Sequence, residues 1–143
     1  MGYAAPSTSS ASSEICVAID SDRDIVEARQ RGRQLADHAG FSLTDLAIIA
    51  TAISELARNS LRYATGGQIV VRLAEDQNRR GIEIIAADDG PGIGDINQAL
   101  QDGYSTSGSL GLGLPGVRRL MDEFQIESQP GEGSVVTAKK WRR

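Results

Sequence analysis

The sequence has few of the residues on which several common kinds of site depend. Of 143 residues, one is cysteine and one is histidine, which excludes an internal disulfide and a metal site built on two histidines. The cysteine, Cys16, lies in an apolar run, so we expect a buried, inert thiol and a reducing compartment, the cytoplasm. His38 is expected to be a surface residue of a helix.

Long apolar runs and an excess of positive charge are also missing. The longest mainly apolar run, from Leu46 to Ile53, is far shorter than the roughly 18 residues that a membrane helix needs. With 19 acidic and 15 basic residues, the formal net charge is -4, so we expect neither a membrane protein nor a nucleic-acid binder. The locally basic end from Lys139 to Arg143 is expected to be solvated.

The composition is that of one globular domain. The hydrophobic share is 40% and the charged share is 24%, values that are ordinary for a chain with a core to bury. Residues 1–13 are rich in serine and alanine and carry no positive charge before an apolar stretch. This pattern predicts a flexible N-terminus rather than a signal peptide, and leaves residues 14–143 as a single domain.

Hydrophobic periodicity predicts the order strand, helix, helix, strand, strand, helix, strand, strand. The first strand, in which Ile15, Val17 and Ile19 alternate with smaller or polar residues, is expected at or near a sheet edge. The expected elements are a strand over 14–20, helices over 22–40 and 42–64, strands over 68–73 and 81–87, a short helical stretch near 97–100, a helix over 114–124, and strands over 125–128 and 134–141. This order predicts a two-layer α/β sandwich with a mixed, mainly antiparallel sheet and helices on one face.

The second helix carries a polar pair, Glu55 and Asn59. Residues four apart share a helix face, separated by about 40° around the axis and about 6 Å along it. Both side chains point away from the apolar stripe centred on Ile53 and Leu56, which is typical of a solvated polar face. The alternative is functional, because a carboxylate can accept a proton beside an amide oxygen that binds Mg²⁺.

Asp88, Gly90 and Gly92 follow directly after an apolar strand. Aspartate, glycine and proline together are common in turns, so a simple turn at the strand end is one interpretation. The other is a site for a flat base, because the carboxylate can accept a hydrogen bond from an exocyclic amine and glycines let the backbone approach closely.

Gly108, Gly111 and Gly113 precede the helix that is predicted to begin near Leu114. Backbone N–H groups at a helix N-terminus favour phosphate groups, whereas a merely flexible loop need not precede a helix with a proline, Pro115, in its first turn.

Three well-known nucleotide-binding patterns do not fit. The residues from Gly111 to Gly116 match GxGxxG, but the residues before them are polar and contain glycine, where a dinucleotide-binding fold requires a strand. The chain has no GxxxxGK[ST] loop and no HRD or DFG segment of a protein kinase.

In order and spacing, the segments over 55–59, 88–93 and 108–113 resemble the N, G1 and G2 boxes of the GHKL ATPases, which have the Bergerat fold. The resemblance implies that Glu55 is a general base, that Asn59 is a Mg²⁺ ligand, and that Asp88 accepts the adenine amine. It also implies ATP-binding roles for a larger set, with Gly92 beside the base and the later glycines in a lid over ATP: Gly90, Gly92, Ile93, Gly108, Gly111, Leu112 and Gly113.

Within this family, a free-standing unit of this size resembles the bacterial anti-sigma-factor serine kinases. The segments over 99–107 and 119–124 and the terminal Lys140–Trp141 look most like the switch kinases of the stressosome. The resemblance implies a serine/threonine kinase that uses ATP and Mg²⁺, with STAS-domain proteins as substrates and sequestering partners. It also implies activation of a PP2C-type phosphatase after release, and it is compatible with a homodimer.

Two other functions belong to the same family. One is a regulatory binding module, such as an anti-sigma factor, whose ATP site serves partner choice more than turnover. The other is a detached histidine-kinase ATPase domain, which would lack the helical phosphoacceptor hairpin that it needs.

Overall fold

A computed structural model of the chain describes residues 13–63, 66–90, 113–128 and 131–143. Within these residues the chain forms five strands and three helices in the order that the sequence predicts. The elements are β1 (Glu14–Ile19), α1 (Asp22–His38), α2 (Leu43–Tyr63), β2 (Gly67–Asp76), β3 (Arg79–Asp88), α3 (Gly113–Leu120), β4 (Glu123–Ser128) and β5 (Ser134–Trp141). The helical stretch expected near 97–100 and most of the N-terminus, residues 1–12, lie outside the described residues.

The strands form one sheet in the order β1-β2-β3-β5-β4. All four pairings of these strands are antiparallel, so the described part contains none of the parallel pairing that a mixed sheet would include. β1 is an edge strand, as predicted. The β2-β3 hairpin is longer than expected, because pairing continues to Asp76 and Arg79 around a two-residue turn in which Gln77 has φ 56°.

The helices cover one face of the sheet and complete a two-layer α/β sandwich. Alternate strand residues are buried beneath them, as a period of two requires, among them Val17, Ile19, Ile69, Val71, Ile82, Ile84, Val136 and Ala138. α1 approaches α2 closely at Gly32, where an added Cβ would lie 2.3 Å from Cδ1 of Ile53. A larger residue at this position would therefore require the Ile53 side chain to shift. None of the described helices is long and apolar enough to cross a membrane.

A serine caps the N-terminus of each of the two long helices. The backbone N–H of Ser21 donates to the Asp24 carboxylate at 3.1 Å, so Ser21 is the N-cap of α1. The Ser42 hydroxyl oxygen accepts the N–H of Asp45 at 3.2 Å, so Ser42 caps α2.

α3 is shorter than the sequence predicts. It ends at Leu120 instead of continuing to Phe124, because the N–H of Asp122 donates to the Lys139 carbonyl at 2.9 Å and β4 begins at Glu123. Pairing with β5 therefore ends the helix.

The expectation of a buried Cys16 is wrong, since the residue is exposed. The alternation that places Val17 and Ile19 in the core places Cys16 on the opposite face, which the helices do not cover.

The expectation of a solvated basic end is wrong for Lys140, whereas Arg142 and Arg143 are exposed. Lys140 is only 6% exposed, and its ammonium donates to the Leu120 carbonyl at 3.4 Å. Arg142 donates to the Ala39 carbonyl at the end of α1. These residues therefore belong to the packed domain.

Candidate nucleotide site

The two polar residues of α2 differ in their exposure. Glu55 is 6% exposed, whereas Asn59 is half-buried. The solvated-face interpretation is therefore wrong for Glu55. A carboxylate is rarely buried to this extent unless it is paired or has a function.

Glu55 is paired with an arginine one turn further along the helix. Nη1 of Arg58 lies 2.8 Å from Oε1 of Glu55. The Arg58 side chain is 41% exposed and that of Glu55 is 7% exposed, so the anion is inside and the cation is at the rim. A charge-assisted hydrogen bond of this kind offsets part of the cost of burying the carboxylate.

Asp88 is the last residue of β3, and its carboxylate is fixed by two donors. Oδ1 accepts the N–H of Gly90 at 2.9 Å, and Oδ2 accepts the hydroxyl of Ser134 at 2.8 Å. Each carboxylate oxygen has two lone-pair directions, so Asp88 retains capacity for a further donor such as an exocyclic amine. The Asp88 carboxylate therefore fits the amine edge of an adenine ring.

The sequence patterns did not identify two residues that shape this position, Gly133 and Ser134. Ser134 lies opposite Asp88 in the β3-β5 pairing. Gly133 has φ 83°, and an added Cβ would lie 2.1 Å from the Asp88 carbonyl oxygen, so only glycine allows this backbone approach. The signal available in the sequence was the turn over 130–133 before the last strand, which by itself does not show which strand lies opposite.

Gly113 is the first residue of α3, with φ 68°. This left-handed conformation favours glycine. The next residues, from Leu114 to Val117, are buried and hold the start of the helix against the core. Glycine therefore stands at the first position of a packed helix, one residue before the start expected near Leu114.

The chain topology brings these elements to one end of the sheet. Asn59 lies in the last turns of α2, and the strand that follows, β2, begins at Gly67 opposite Asp88. α3 joins β4 through only two residues, and β4 runs towards the end of β5 that holds Ser134. A helix so connected turns back along the strand, which directs Gly113 towards the same end. The other predicted site residues, Gly92, Ile93, Gly108, Gly111 and Leu112, lie outside the described residues.

Sequence comparison identifies the family. Residues 44–142 match the family described as "Histidine kinase-, DNA gyrase B-, and HSP90-like ATPase". The chain is 55% identical over 128 residues to the serine/threonine-protein kinase RsbT of Bacillus subtilis, covering 90% of this chain and 96% of that protein. It is 33% identical over 106 residues to an anti-sigma F factor of Caldanaerobacter subterraneus, covering 70% of this chain and 73% of that one.

Solved structures show the same fold. The crystal structure of the RsbU and RsbW domains of Rv1364c from Mycobacterium tuberculosis matches with a TM-score of 0.58 and 22% identity, over 90% of this chain and 32% of that chain. The mycobacterial sensor histidine kinase MprB matches with a TM-score of 0.53 and 16% identity, over 91% of this chain and 98% of that chain.

The α/β sandwich agrees with these matches, and the resemblance seen in the three sequence boxes is confirmed. The chain belongs to the family of histidine kinase-, DNA gyrase B- and HSP90-like ATPases.

Proposed function

We propose that the protein is a serine/threonine protein kinase that phosphorylates an RsbS- or RsbR-like STAS-domain partner. After release from that partner it activates an RsbU-like PP2C-type phosphatase, in a bacterial stress-signalling partner switch. The observation that carries the proposal is the 55% identity to the serine/threonine-protein kinase RsbT over nearly the full length of both chains. Residues 14–143 act as one domain.

Glu55 is the proposed general base, and Asn59 the proposed Mg²⁺ ligand. Phosphoryl transfer depends mainly on positioning and on neutralising charge, so a small domain can perform it once a partner delivers the hydroxyl. The buried carboxylate of Glu55 accepts the proton of that serine or threonine. The half-buried carboxamide of Asn59 supplies one oxygen to Mg²⁺, which typically keeps few protein ligands beside phosphates and water.

The remaining residues of the site bind the nucleotide, which supplies the phosphoryl group that is transferred. Asp88, oriented by Ser134 and Gly90, accepts the adenine amine. The proposal assigns Gly92 and Ile93 to the base and the segment over 108–113 to the lid over ATP.

Radioactive ATP and a panel of purified STAS-domain proteins test the kinase proposal. We expect Mg²⁺-dependent label on a serine or threonine of at least one partner. If the protein forms stable complexes but labels none of the panel, the kinase proposal is wrong and the binding-module alternative is supported. That alternative is favoured by the 33% identity to an anti-sigma F factor.

Asp88→Asn is expected to weaken ATP binding by about 10- to 100-fold, the usual cost of losing a hydrogen bond to a charged group. The amide keeps the size of the side chain but places an NH₂ group where one acceptor oxygen stood. Isothermal titration calorimetry measures the affinity, and the unfolding midpoint shows whether the fold is retained.

Asp76→Asn is the matched control, because Asp76 is an exposed residue at the other end of the same hairpin, paired with Arg79. It should leave ATP affinity unchanged. Unchanged affinity in Asp88→Asn as well would remove Asp88 from the adenine site.

Two further parts of the proposal concern the surroundings of the protein. A cytoplasmic location suits a kinase that consumes ATP and whose one cysteine has no disulfide partner within the chain. A homodimer is compatible with the proposed switch, and light scattering of the purified protein measures it directly.

A further inference from the structure

We propose that Arg58 is a positioning residue for Glu55, which holds the carboxylate in the orientation needed to take the proton of the acceptor hydroxyl. This inference rests on the proposed kinase function and adds a residue to its site. Arg58 stands between the proposed base and the proposed Mg²⁺ ligand in the sequence.

The two side chains of the pair differ in exposure. An ionised carboxylate that is 7% exposed loses most of its hydration, a cost that favours the neutral acid unless a cation or donors compensate. The Arg58 guanidinium, 2.8 Å away, supplies the cation. The charge-assisted hydrogen bond therefore holds the carboxylate more strongly than a neutral donor would.

Arg72 and Glu83, with side chains that are 48% and 12% exposed, share this contrast, whereas an exposed pair on α1 lacks it. Arg31 and Glu27 on α1 lie 3.2 Å apart, with side chains that are 43% and 51% exposed. Such exposed pairs contribute little to stability. Removing the cation from a pair whose anion is buried costs more than removing it from an exposed pair.

The hydrogen bond within the pair also fixes the orientation of the Glu55 carboxylate. The hydrogen bond joins Nη1 of Arg58 to Oε1 of Glu55, and the two residues are one helical turn apart on α2. The guanidinium therefore restricts the rotamer of the carboxylate without requiring any other element to move. A carboxylate has about four lone-pair directions, so this bond leaves capacity to accept a hydroxyl proton.

Arg58→Met tests the proposal by removing the charge while keeping an unbranched apolar side chain. At saturating ATP and partner, we expect the rate of transfer to fall by about 10- to 100-fold, the usual effect of losing a charge-assisted hydrogen bond. The KM for ATP should stay within about twofold, because the arginine acts on the base and not on the nucleotide. Arg58→Lys should recover part of the rate, since it keeps the charge but not the planar guanidinium.

Arg31→Met is the control, because it removes an arginine from an exposed pair on α1. It should leave both kinetic constants unchanged. Far-UV circular dichroism and unfolding midpoints show that the variants are folded. If Arg58→Met is not folded, the comparison of Arg58→Lys with the wild type decides, and a wild-type rate in that folded variant overturns the need for a guanidinium at Glu55.

A double-mutant cycle separates action through Glu55 from direct contact with the substrates. If Arg58 acts through the carboxylate, Arg58→Met should cost nothing further in a chain that already carries Glu55→Gln. An equal loss in both backgrounds, or a large rise in the KM for ATP, would overturn the proposal and place Arg58 in contact with nucleotide or acceptor.

The wild-type protein distinguishes failure of this inference from failure of the proposed function. Transfer by the wild type together with an unchanged rate in Arg58→Met overturns the role of Arg58 alone. Absence of transfer by the wild type to every partner overturns both.

Discussion

Replacement of Glu55 with glutamine is expected to lower phosphoryl transfer to the partner by about 10²- to 10⁴-fold, the contribution typical of a general base. Glutamine has nearly the same size and can still bond to Arg58, so the helix and the pocket should be kept. It cannot accept a proton at neutral pH. ATP affinity should therefore change little, and the loss should appear in the rate of transfer at saturating substrates.

Single-turnover transfer from radioactive ATP, with affinity measured separately by calorimetry, checks this expectation. Glu27→Gln is the matched control, because Glu27 is also a helical glutamate paired with an arginine, but it is exposed on α1. It should transfer at the wild-type rate. Near wild-type transfer by Glu55→Gln would show that another group takes the proton, and a parallel loss of ATP affinity would assign Glu55 to binding instead.

The sequence was enough to place Glu55 on a helix, but not to show that it is buried. Its position relative to the apolar stripe of α2 indicates only that it points away from that stripe. Other faces of α2 are covered by α1, α3 and three strands, and this packing depends on tertiary contacts that the periodicity of one helix does not report. The burial that favours a functional role therefore became visible only in the structure.

The same limit explains why Ser134 and Gly133 were missed although Asp88 was found. Asp88 has a local signature, a carboxylate at the end of an apolar strand before glycines. Ser134 acts on it from 46 positions away, through a pairing of β3 with β5 that skips β4 in the chain order. Sheet order and register are long-range properties, so a hydrogen bond across them has no local pattern.

The order and type of the described strands and helices, in contrast, followed from local patterns. The errors lay at the ends of these elements. The boundary between α3 and β4 was predicted too late in the chain, because helical spacing continued to Phe124. In the structure the backbone of Asp122 already bonds to β5. The basic end was judged by its charge, although Lys139 and Lys140 lie within the segment over 134–141 that was itself predicted to be a strand. Competition between local preference and tertiary pairing decides such boundaries.

The C-terminal end of β5 holds a buried tryptophan, Trp141, at the end of β3 away from Asp88. Trp141 is 5% exposed, and its indole Nε1 donates to Oε2 of Glu123 at 2.6 Å. The Arg79 guanidinium lies 4.1 Å from the ring centroid. At Gly81 an added Cβ would lie 2.6 Å from Cε3 of the ring, so the indole packs directly on the backbone of β3. Trp141 pairs with Gly81, and Asp88 lies seven positions further along β3, which is roughly 23 Å along the strand.

Trp141→Ala is therefore expected to lower the free energy of unfolding by about 3–5 kcal/mol, the usual cost of removing a large aromatic side chain from a packed position. The variant loses the apolar contact with β3, the cation–π contact and the hydrogen bond to Glu123. Urea unfolding followed by far-UV circular dichroism measures the change. Arg143→Ala, which removes an exposed ion pair to Asp122, should cost no more than about 1 kcal/mol.

Because the indole lies at the opposite end of the sheet from Asp88, ATP affinity measured below the unfolding transition should be the same in Trp141→Ala as in the wild type. A loss of less than about 1 kcal/mol would show that the C-terminal strand packs independently of its tryptophan, and a fall in ATP affinity without unfolding would show that the two ends of the sheet are coupled.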